Sequence, residues 1–75
     1  MTQLIIDALV AKYNAQIAEG KANLQNYFSN PAGIGEHPNI VEECDKLISQ
    51  IGSAQDKLQT LEKIVKEGNE SSTNR

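Results

Sequence analysis

The chain has 75 residues and a mass of 8.2 kDa, is 39% hydrophobic but 4% aromatic, and carries a formal net charge of -3 with a pI near 4.9. The acidic balance argues against duplex DNA or an anionic membrane as the main partner, because both bind through clustered lysine and arginine. A single cysteine excludes an internal disulfide framework and is typical of a reducing compartment.

The N-terminal residues 1–10 are apolar in part, but Asp7 interrupts them. Because neither a basic segment nor a small-residue cleavage site accompanies them, we expect no signal peptide. No segment approaches the roughly 20 apolar residues that a membrane span needs. These features predict a soluble, cytoplasmic protein.

Two stretches carry apolar residues at alternating spacings of four and three. The first series is Ile6, Val10, Tyr13, Ile17, Gly20, Leu24 and Tyr27. The second series is Ile40, Cys44, Leu47, Ile51, Ala54, Leu58, Leu61 and Val65. A mean spacing of 3.5 residues is typical of the seam between two coiled-coil helices.

The first helix is predicted over about 2–28, with Thr2 as a possible N-cap. Two prolines and two glycines follow within ten residues, which predicts a connector over 29–37. Its single large apolar residue, Ile34, is expected to plug the end of the helix pair.

The second helix is predicted over about 38–67, with Pro38 in its first position and Gly68 as its stop. Glu42 and Lys46 are spaced for an ion pair within this helix. The polar residues 69–75 are expected to be disordered, so that the hairpin domain covers 1–68.

In an antiparallel hairpin, two residues that face each other across the seam would have residue numbers that sum to 67 or 68. In that register Gly20 meets Leu47 and Tyr13 meets Ala54, so that small residues face large ones as close packing requires. The predicted fold class is therefore all-α: an antiparallel two-helix hairpin of coiled-coil type.

A lone hairpin of this size buries too little apolar surface to offset the entropy of ordering the chain. Candidate residues for a further interface lie off the seam: Leu4, Ile5, Leu9, Val41, Ile48 and Ile64. We expect them to support a homodimer that forms a four-helix bundle, or docking onto a larger protein. A stripe of alanines on the first helix reflects either helix propensity on a solvated face or a close contact with another subunit; it comprises Ala8, Ala11, Ala15, Ala18 and Ala22.

No chemistry is predicted. Glu36, His37 and Cys44 lack the paired ligand spacing of a zinc site, and Cys44 lies on the seam, where it acts as a small hydrophobe. We therefore predict no catalytic residue, no cofactor and no metal, and no enzymatic activity. The basic residues alternate with acidic ones, so no nucleic-acid partner is expected either.

The run 30–40, Asn-Pro-Ala-Gly-Ile-Gly-Glu-His-Pro-Asn-Ile, is followed by Asp-Lys-Leu at 45–47 and Gln-Asp-Lys-Leu at 55–58. Over about 22–65 the chain resembles short uncharacterised proteins of marine tailed phages of the myovirus type. The resemblance implies a small helical hairpin that acts in an infected bacterial cell. It brings no assigned activity and no site residues.

Three functional hypotheses remain. The leading one is a non-enzymatic interaction module, a phage accessory protein that binds a host or virion protein. The second is a structural or assembly component of a phage particle or complex, which docks through the connector. The third is a metal- or ligand-binding protein that uses Glu36 and His37.

Overall fold

The computed structural model is a hairpin of two long helices, α1 (Thr2–Ser29) and α2 (Ile40–Thr73). The structure describes residues 2–29 and 39–73, with side chains as far as Gly68. The early part of α1 faces the late part of α2, and the helices pack along their length in a rod of 60 × 19 × 15 Å. The predicted all-α hairpin is confirmed.

A capping residue that the sequence analysis missed defines the start of α2. The helix begins at Ile40 rather than at Pro38, and Asn39 precedes it. The side-chain oxygen of Asn39 accepts a hydrogen bond from the backbone N–H of Glu42 (3.3 Å), while its amide donates to the Glu42 carboxylate (2.9 Å). This reciprocal pair is a variant of the capping box, in which a short polar residue and an acid lie three residues apart.

The carboxylate of Glu42, which was predicted to pair with Lys46, accepts the hydrogen bond from Asn39. Lys46 contacts Glu43 instead, with 3.4 Å between Nζ and the carboxylate oxygen. Of the predicted connector 29–37, Ser29 belongs to α1, and the rest, with Ile34, lies outside the described residues, as does Pro38.

The two helices pack one helical turn away from the predicted register. A Cβ added at Gly20 would lie 2.7 Å from Cγ1 of Ile51, so Gly20 packs against Ile51 and not against Leu47. Lys57 lies above the ring of Tyr13, with 5.8 Å to its centroid, which agrees with this shift. The predicted register was wrong because a four-three seam repeats every turn, and the pattern fits equally well after a slip of one turn.

In the observed register, opposed seam residues sum to 71, as Gly20 and Ile51 do. Ile17 then lies level with Ala54, so a small residue still opposes a large one at both layers. Among the described residues Gly20 and Ala54 are buried, and the remaining seam residues are half-buried.

The helix α2 continues to Thr73, past the stop predicted at Gly68. Gly68 keeps a right-handed backbone and not the left-handed one of a helix-terminating glycine. In the observed register the first turn of α1 lies level with residues 66–69, so the last turn of α2 extends beyond the start of α1. Residues 69–73, predicted as a disordered tail, are thus helical in the structure.

Candidate protein interface

The hairpin exposes several large apolar side chains at positions beside the seam. Between 53% and 80% of each is accessible: Leu4, Ile5, Phe28, Val41, Ile48 and Ile64. The sixth predicted interface residue, Leu9, is half-buried. Five of the six predicted candidates are therefore strongly exposed, and Phe28 joins them.

Three of these side chains form what we call the Phe28 face: Phe28, Val41 and Ile48. They surround an apolar hollow of about 410 Å³ near the connector end, and the half-buried residues Ile40 and Cys44 also line it. Each of the three directly follows a seam residue, which places all of them on one side of the hairpin. The same offset after Tyr27 could have identified Phe28 from the sequence.

Two further side chains form the Leu9 face: Leu9 and Ile64. Each directly precedes a seam residue, which places them on the opposite side of the hairpin from the Phe28 face. They line a groove of about 440 Å³ together with Tyr13, Leu61 and several polar residues. Lys57 lies over the Tyr13 ring in this groove, within the range of a cation–π contact.

The six predicted interface residues do not form one surface. Val41 and Ile48 belong to the Phe28 face, and Leu9 and Ile64 to the Leu9 face. Sixteen residues separate Ile48 from Ile64, which is about 24 Å along a helix. Leu4 and Ile5 are exposed at the start of α1 and line neither hollow.

A polar contact interrupts the Leu9 side near the middle of the hairpin. The side-chain amide of Gln50 donates a hydrogen bond to the backbone carbonyl of Gln16 (3.0 Å) in a partly buried setting. The same nitrogen would lie 3.5 Å from a Cβ at Gly20. The absence of a side chain at Gly20 thus lets both Ile51 and Gln50 reach α1.

The two mid-helix glycines have different surroundings. Gly20 is buried in contact with α2, whereas a Cβ added at Gly52 would meet nothing within 4 Å. Gly52 follows the seam residue Ile51 and lies one turn beyond Ile48, on the side of the Phe28 face. Packing within the hairpin explains Gly20 and leaves Gly52 unexplained.

Within 2–29 and 39–73, no group of three or more His, Cys, Asp and Glu side chains is placed to hold a metal ion, and neither helix could cross a membrane. Glu36 and His37, the basis of the ligand-binding hypothesis, lie outside those ranges. Cys44 is a free, half-buried thiol on the seam.

No protein-family model, curated protein or solved structure matches this chain.

Proposed function

We propose that the chain is a non-enzymatic protein-interaction module, a helical hairpin that binds other proteins through the Phe28 face and the Leu9 face. The observation that supports this most is the exposure of large apolar side chains on both sides of the hairpin. Contiguous exposed apolar patches on small proteins commonly mark interaction sites.

The area of the hairpin supports the same proposal. The chain exposes 5850 Å², whereas a folded monomer of 8.2 kDa exposes about 4,500 Å². Part of the excess follows from the elongated shape, and the exposed apolar side chains contribute to it. The proposal includes association of two hairpins into a four-helix bundle, because a lone hairpin buries little apolar surface.

The resemblance to phage proteins suggests the setting. We propose an accessory protein in the cytoplasm of an infected bacterium, where the partner is a host or virion protein. Nucleic acid and membrane are not proposed as partners, since the net charge of -3 leaves no basic surplus for phosphate groups.

Site-specific photo-crosslinking tests the proposal. A benzophenone amino acid would replace Phe28 or Ile64 in separate samples, and exposed Ser49 on the outer side of α2 would serve as the matched control. We expect discrete protein adducts from Phe28 and Ile64, and none from Ser49, in host lysate with and without phage particles. If neither apolar face gives more adduct than Ser49, the proposal is wrong.

A triple substitution of Ile5, Leu9 and Ile64 by Asp tests the Leu9 side separately. A buried carboxylate in an interface is strongly unfavourable, so recovery of the cross-linked partner should fall at least tenfold. Ser49→Asp adds a carboxylate to a solvated face and should leave recovery unchanged.

A further inference from the structure

We draw no further inference here: the strongest candidate, the apolar hollow of the Phe28 face at the connector end of the hairpin, carries none because nothing in the structure shows what covers it.

Discussion

At the scale of single residues, the packing of the two helices depends on Gly20, which has no side chain. Gly20 lies in the middle of α1, where glycine costs about 1 kcal/mol relative to alanine. The cost is offset because Ile51 and Gln50 both pack on the bare backbone. The contact is specific enough to select one register among those that the seam allows.

The effect of Gly20→Ala on the free energy of unfolding should therefore change sign with the residue at position 51. In the wild-type chain the new Cβ would lie 2.7 Å from Cγ1 of Ile51, so we expect a net loss of about 1 kcal/mol despite the better helix propensity. In an Ile51→Ala background the clash is gone, and Gly20→Ala should stabilise by up to about 1 kcal/mol. Urea denaturation of the four chains measures this coupling; equal effects in both backgrounds would contradict the observed register.

The hydrogen bond from Gln50 to Gln16 can be tested through the pH dependence of the stability of a Gln50 variant. Gln50→Glu would place a carboxylate oxygen where an amide now donates to the Gln16 carbonyl, and we expect a loss of about 1–2 kcal/mol at pH 7. Because the charged form is disfavoured in the folded state, the pKa of the new acid should rise above its unfolded value.

The penalty in Gln50→Glu should then be fully present above the raised pKa, shrink as the pH falls through it, and be gone below the unfolded pKa of about 4. Exposed Gln59 provides the matched control, since Gln59→Glu adds the same charge without a facing carbonyl. A pH-independent difference between the two variants in thermal melts would show that the Gln50 contact is not formed.

At the scale of the helices, the start of α2 follows from local chemistry. Asn39 caps α2 through two hydrogen bonds to Glu42, a pattern that is readable from the sequence. The far end of α2 continues through Gly68, where an added Cβ would meet nothing within 4 Å, so a glycine near the end of a helical pattern did not act as its stop.

Asn39→Ala should destabilise the hairpin by about 1 kcal/mol, since it removes the oxygen that accepts from the Glu42 N–H. Asn39→Ser keeps a side-chain oxygen that can accept from the Glu42 N–H without setting a second carboxylate against Glu42, so it should lose less stability than Asn39→Ala. Thermal melts monitored by circular dichroism check both; an Ala variant as stable as the Ser variant would show that the cap contributes nothing.

At the scale of the whole molecule, a rod 60 Å long and 15–19 Å across is nearly all surface. Ala54 is the one described side chain that is almost fully buried, at 1% exposure. Further apolar surface of such a rod can be buried only along its long sides, and both apolar faces lie there.

The sequence by itself determined the class of fold, because a 3.5-residue apolar repeat on both sides of a Pro- and Gly-rich segment permits little besides a helical hairpin. It also identified most of the exposed apolar residues, since they depart from the seam. The tertiary structure alone decided the register, because a seam that repeats each turn matches itself after a slip and only the contact of Gly20 with Ile51 selects one pairing. The structure also decided which of these residues share a hollow: Phe28 with Val41 and Ile48, and Leu9 with Ile64.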